Sequence, residues 1–336
     1  MAIGILYEHP EWFRPLFATL ERRGLEYVGI DAASLSWDPA APPPFDLLVN
    51  RMSPSAYLRG HGHAIHAALH YLDFVESCGT AVVNGAAAYR LEISKAAQLA
   101  LLGRLGLAYP LSRVINDPAL AVAATEGLRF PVVVKPNIGG SGARIQRFDS
   151  RPHLQDAVAA GTVDLGIDLT ALVQEFLPAR GGAITRVELL DGEWLYAIRI
   201  TPPAGAGFNL CPADICRDEG DPSATGGVAV GGVCATRPAM QIEATTVPQE
   251  ILDGARAIAN AAGLDICGIE YLIDDRDGRP YFYDINALSN FVTDAPRIVG
   301  FDPFERFVDY LEARLANTAM AARRDTPARA KDLQSV

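Results

Sequence analysis

Lysine is scarce in this chain, and two of its lysines stand where a charge is costly. The 336 residues include Lys95, Lys135 and Lys331 against 26 arginines. Lysine is a slim point charge and arginine a wide planar fork, so a narrow slot for phosphate oxygens favours lysine. Lys135 ends the apolar run FPVVVK, and Gly139, Gly140, Ser141 and Gly142 follow it. A charge on a strand buried on both faces costs free energy unless it is paired. The glycines let the backbone turn tightly and bring amides toward a ligand. An ammonium beside such amides reads as a phosphate cradle, or else as a plain turn with a snorkelling lysine. A P-loop would place the lysine after the glycines, so that motif does not apply.

A second constellation is acidic. Glu270 interrupts CGIEYLI, while Asp284 and Asn286 interrupt YFYDINAL. Residues 284 and 286 share one strand face, and Glu270 lies on the expected partner strand. Two carboxylates and an amide oxygen are hard ligands suited to Mg²⁺; hydrogen bonding at a sheet edge is the alternative. A third feature is Arg186 and Arg199, on the neighbouring runs AITRVELL and EWLYAIRI. Each is either a cross-strand cation or a forked donor for an anionic substrate, and Arg199 is the preferred donor. His61, His63, His66 and His70 fit a solvated helix surface better than a zinc or substrate site. Trp12, Trp37 and Trp194 read as packing residues, and neither a Gly-x-Ser-x-Gly elbow nor HExxH is present.

The elements that must position these groups fall into three blocks. Residues 1–92 alternate strand runs (IGILY, EYVGI, FDLLVN) with amphipathic helices that end in glycine, a small parallel α/β unit. Its first strand lacks a GxGxxG turn, which leaves a nicotinamide-dependent oxidoreductase little support. Residues 93–173 read as an α+β block. In it a helix over about Glu92–Leu105 carries Lys95, strands lie near Leu111–Ile115 and Ala143–Phe148, and helices lie near Pro118–Gly127 and Pro152–Ala160. Residues 174–319 hold two hairpins, turning at Asp191-Gly192 and around Asp274–Gly278, a helix near Pro248–Ala262 and a closing helix from Asp302. The stretch 203–232 reads as a long functional loop, and residues 320–336 as a loose tail.

Composition bounds the rest. Apolar residues make up 49% and charged residues 21%, which suits a globular chain. A net charge of −11 argues against nucleic acid as the main partner. Five cysteines without a CxxC suggest reduced thiols and a cytoplasmic setting. The start is charged too soon for a signal peptide, and no apolar run is long enough to span a membrane. The acidic, partly apolar N-terminal block would suit a homodimer.

Taken in order, a lysine-bearing helix, VVVKP with its glycine loop, VQEFL, two arginine-bearing hairpins and E…DxN resemble the ATP-grasp superfamily. The resemblance is nearest to its glutathione synthetase-like and ribosomal-protein glutamate ligase-like branch and covers about 1–318. It implies a pre-grasp parallel α/β domain plus two α+β subdomains sandwiching ATP. By that resemblance, Lys95 and Lys135 touch the α- and β-phosphates, and Gly139 to Gly142 fold over the triphosphate. Glu175, Phe176 and Leu177 read adenine, and Arg199 steadies the transferring phosphate. Glu270, Asp284 and Asn286 hold two Mg²⁺, sites that Mn²⁺ could also fill. Arg51 and Ser53 fall where that branch often contacts substrate. Asp284 is one methylene shorter than the glutamate usual there, Ile184 and Thr185 stand where an acid often precedes the strand arginine, and ALSNF replaces a proline-glycine turn. The loop from 208 to 232 differs from that of glutathione synthetase, so glutathione is not the expected product. The resemblance implies a carboxylate-amine ligase that works through an acyl phosphate and releases ADP and phosphate; a catalytically silent ATP-binding regulator is the alternative.

Overall fold

The computed structural model describes residues 2–140, 142–203, 207, 208, 210 and 240–329, with side chains as far as 318. Ser141, most of the 203–232 loop and Lys331 lie outside the described residues.

The first sheet is parallel, in the order β2 (Tyr27–Asp31), β1 (Ile3–Tyr7), β3 (Leu47–Asn50), β4 (Ala81–Val83). Both faces of its inner strands are buried, as their unbroken apolar sequences require. Alternate residues serve different cores. Leu6 and Leu48 pack with Ile65, Leu72 and Val75 of the helix α2 (Gly62–Ser77). Ile3, Ile5, Leu47 and Val49 pack with Leu16 and Leu20 of α1 (Arg14–Arg22) and with Phe307, Val308 and Leu311 of the last helix.

Two antiparallel sheets follow. One runs β5 (Ser112–Ile115), β8 (Ala171–Glu175), β6 (Val132–Pro136), β7 (Gln146–Phe148), and α5 (Arg151–Ala159) covers it through Leu154. The other runs β11 (Gln241–Thr245), β10 (Glu193–Thr201), β9 (Ile184–Leu190), β12 (Ile266–Ile273), β13 (Pro280–Asn286). Ile251, Ala255 and Ile258 of α6 (Gln249–Ala262) pack against Val187, Leu189 and Ile269 of that sheet. A short helix α7 (Ala295–Val299) leads to α8 (Pro303–Arg329), which returns to α1, where Arg22 and Arg23 pair with Glu305, Asp309 and Glu312.

Several expected boundaries shift. The helix expected over about Glu92–Leu105 is α4 (Lys95–Arg104), which starts late because Ser94 takes an extended backbone and its Oγ accepts the Ala97 amide as an N-cap; an unexpected helix, α3 (Ala86–Glu92), precedes it. The helix expected near Pro118–Gly127 is only two single turns, Pro118–Leu120 and Ala123–Thr125, which bury too little to sustain a longer helix. The backbone of α8 continues to Arg329, through part of the expected tail, where Ala, Met and Arg favour helix.

Candidate active site

The two antiparallel sheets, with Trp12 and Ser53 to Ser55 of the N-terminal block, surround one cavity of about 510 Å³. Lys95, Lys135, Glu270, Asp284 and Asn286 all line it, together with Gly139, Gly140 and Gly142. Their positions follow from local structure. Lys95 is the first residue of α4, and α4 is fastened to β13 by Gln98, whose amide donates to the Ile285 carbonyl and accepts the Ile285 N–H. Lys135 is the penultimate residue of β6. Glu270 and Asp284 are directly opposed on β12 and β13, and Asn286 lies two residues along on the same face, opposite Gly268.

The lysines converge on a single atom. The Asp284 Oδ1 accepts from Lys95 Nζ at 2.8 Å and from Lys135 Nζ at 3.2 Å. Lys95 and Lys135 are 9% and 8% exposed, so little solvent weakens the pairing. Burial by itself would raise the Asp284 pKa, but the two ammonium charges outweigh it and hold the carboxyl far below its usual range. Burial also lowers the Lys135 pKa, with the Lys95 charge acting the same way against the pull of Asp284. For Lys95 burial is outweighed by Asp284 and Glu92, and its pKa rises.

Glu270 has other partners. Arg186 Nη1 donates to its Oε1 at 3.0 Å and the Tyr283 hydroxyl to its Oε2 at 2.8 Å. Burial pushes the Glu270 pKa up, with Arg186 opposing. Arg186 also bonds Glu188 Oε1 at 2.6 Å through Nε and approaches Ser289 Oγ at 3.4 Å through Nη2. Its guanidinium lies flat against Gly268, where any side chain would collide with it.

Arg199 does not join this group. Its side chain is 47% exposed, and among the described residues its nearest acid is Glu243, at 3.9 Å. The reason is a register shift in β10 between Trp194 and Tyr196. Arg199 therefore opposes Thr185, whereas Arg186 opposes Ile198 and Glu270. One extra residue sends the two arginines to opposite faces. Arg51 is also set apart. It is fully buried, bonds the Ser289 carbonyl, and lies 5.1 Å from the Phe13 ring centroid and 5.7 Å from that of Phe307, which joins the first sheet to the last helix. Ser53 does line the cavity, bonded to Ser55 Oγ at 2.8 Å.

Glu175, Phe176 and Leu177 lie at the far end. The Glu175 carboxylate is already held by the Arg129 amide at 2.8 Å and guanidinium at 3.2 Å, and the Phe176 N–H by the Pro131 carbonyl. The Leu177 amide makes no hydrogen bond to another described residue. The glycine stretch rests on the N-terminal block: a Cβ at Gly140 would stand 3.1 Å from Ser55 Cβ, and Arg144 lies over the Tyr57 ring at 5.2 Å. Gly142 has φ +68°, a backbone that suits glycine.

No group of three or more His, Cys, Asp or Glu able to hold a metal occurs among the described residues. His61 instead bonds Glu8, and His63 the Ala33 carbonyl. Two acids and an amide still fit Mg²⁺, which takes few protein ligands and fills its shell with phosphate oxygens and water. Asn286 spends its Nδ2 on the Gly268 carbonyl at 3.3 Å, which leaves Oδ1 as the oxygen for a cation. Sequence reasoning missed Glu92, Tyr283 and Trp12, which line the cavity. Only Glu92 left a signal, as an acid three residues before Lys95. Its Oε2 accepts the Ala287 amide, and burial pushes its pKa up to about 7. No helix among the described residues is long and apolar enough to cross a membrane.

No family model matches the chain, and no curated protein does. Solved structures do. The ATP-grasp ligase PsnB, complexed with a phosphomimetic variant of its minimal precursor, Mg and ADP, is 21% identical. The match has a TM-score of 0.64 and covers 93% of this chain and 98% of that one. The D-cycloserine synthetase DcsG is 18% identical, with a TM-score of 0.65 over 94% and 100% of the two chains. D-alanyl-alanine synthetase A from Vibrio cholerae is 12% identical, with a TM-score of 0.67 over 94% and 98%. The chain thus has the ATP-grasp fold, the architecture that the order of its motifs implied.

Proposed function

We propose that the protein is an ATP- and Mg²⁺-dependent ligase that activates a carboxylate as an acyl phosphate and passes the acyl group to an amine. The observation that carries this reading is the convergence of Lys95 and Lys135 on Asp284, beside Glu270 and Asn286, in a cavity roofed by glycines. The fold supports it, since the similar structures are of ligases and PsnB holds Mg and ADP.

In this reading the lysines exchange the Asp284 oxygen for α- and β-phosphate oxygens. The Leu177 amide, with the Phe176 carbonyl, reads adenine, while Glu175 braces that turn from behind. Glu270, Asp284 and Asn286 would hold Mg²⁺, which when bound neutralises charge on the phosphate oxygens. Arg186, rather than Arg199, is the forked donor beside the transferring phosphoryl group. A substrate carboxylate oxygen attacks the γ-phosphorus, and the bond to the ADP oxygen breaks. The amine nitrogen then attacks the acyl carbon, phosphate leaves, and the nitrogen gives up a proton. Catalysis is positioning and charge stabilisation, without a protein nucleophile. The glycine stretch against Ser55 and Tyr57 would exclude the water that hydrolyses an acyl phosphate. Ser53 is placed to meet substrate; Arg51 acts through packing.

A hydroxylamine trap tests the reading. Enzyme, ATP, Mg²⁺ and pooled carboxylic and peptide acids should yield a hydroxamate with stoichiometric ADP. ATP binding with no ADP release over a broad panel would overturn it in favour of a silent regulator.

A further inference from the structure

We propose that Asn137 is a positioning residue that sets the spacing of the two lysines; this rests on the nucleotide reading above. Asn137 lies two residues after Lys135, just beyond β6, and is 8% exposed. Its backbone carbonyl accepts the Lys95 N–H at 3.3 Å. Its side-chain Oδ1 accepts the Ala96 amide at 3.0 Å and the Ser94 hydroxyl at 3.2 Å. Its Nδ2 donates to Asp168 Oδ2 at 2.7 Å. A residue two places beyond Lys135 thus caps the helix that begins with Lys95.

Residue type decides this geometry. Ser94 already caps Ala97, and Asn137 satisfies a second orphan amide in the same first turn. The amide can point only one way, because its oxygen faces donors and its nitrogen faces a carboxylate. An alanine would leave the Ala96 amide and the Asp168 carboxylate each without this partner. An aspartate would keep the cap but turn a charged oxygen toward Asp168. Lys95 and Lys135 reach the same Asp284 oxygen, so a small shift of α4 against β6 changes which phosphate oxygens the pair can span.

The test compares binding of AMPPNP with Mg²⁺ and of adenosine alone, by calorimetry, with melting recorded for each variant. Asn137→Ala and Asn137→Asp should weaken AMPPNP about tenfold to a hundredfold, the loss of one hydrogen bond to a charged group. Adenosine affinity should stay at the wild-type value, because the hinge at Phe176 and Leu177 is untouched. The exchange Asn137→Asp with Asp168→Asn restores donor and acceptor and should recover AMPPNP binding. Equal losses for both ligands, no loss, or no recovery in the exchange would overturn the proposal while leaving the nucleotide reading in place. A wild-type protein that binds neither ligand would overturn both.

Discussion

Gly268→Ala is the substitution from which the structure predicts most. The glycine sits in β12 opposite Asn286, and its φ lies outside the left-handed region, so alanine suits the backbone there. The obstacle is Arg186. A Cβ at this position would lie 2.2 Å from Nη2 and 2.4 Å from both Cζ and Nε. Ordinary contact needs about 3.5 Å, so the guanidinium must move by roughly 1 Å. It is 6% exposed and held between Glu188 and Glu270, so it can move only toward the cavity it lines, and only by loosening those pairs. Hydrogen bonds to charged groups contribute about 1.5–3 kcal/mol each, and the loss of one or two would destabilise the fold by about 2–5 kcal/mol. If Arg186 steadies the transferring phosphoryl group, hydroxamate formation should fall about 10²–10³-fold as well. Thermal melting and the trapping rate, measured on one preparation, check both halves. Full stability together with full turnover would refute the placement of Arg186; a stable but inactive variant would keep its catalytic role and correct the energetics.

Further outcomes follow from the same geometry. Lys135→Ala and Asp284→Ala should each cut hydroxamate formation about 10²–10³-fold. Asp284→Ala should also lower the melting temperature more, because it leaves two buried ammonium groups without their shared partner, whereas Lys135→Ala leaves Asp284 paired with Lys95. Arg199→Ala should leave the trapping rate and melting near wild type, as half-exposed strand positions usually do; a large loss would mean that β10 has the other register. Glu92 has a folded pKa of about 7 against an ordinary 4.5, so the folded state binds more protons between those values. Its contribution to stability is therefore greatest below pH 4.5, declines by about 3 kcal/mol up to pH 7, and is flat above. Glu92→Gln keeps an acceptor for Ala287 and should flatten that decline, raising the melting temperature at pH 8; an unchanged pH profile would count against it.

The legible parts of the site were those that local pattern determines. Lys135, Glu270 and Asp284 stood out as charges in apolar strands, and the two-residue period put Asp284 and Asn286 on one face before any coordinates. The hairpin turns at Asp191-Gly192 and Asp274–Gly278 gave two neighbouring pairs in the last sheet, β9 with β10 and β12 with β13, while the joining of β9 to β12 and the presence of β11 went unread. What stayed hidden depends on contacts between distant segments. Both arginines lie on strands, but only the extra residue between Trp194 and Tyr196 reveals that Arg199 turns outward. Arg51 resembled a substrate contact because nothing local shows that Phe13 and Phe307 enclose it from either end of the chain. Asn137 left no signal in the sequence, since its partners at 94–96 and 168 are remote along the chain.

The fastening of α4 to β13 through Gln98 has a mechanical consequence. Lys95 and Asp284 travel with the large antiparallel sheet, while Lys135 travels with the small one. Opening the cleft means pulling one ammonium away from that carboxylate, with the junction near residue 137 as the pivot. The resistance is electrostatic and sits in a nearly buried pair, so added salt should change it little until water has entered the cleft.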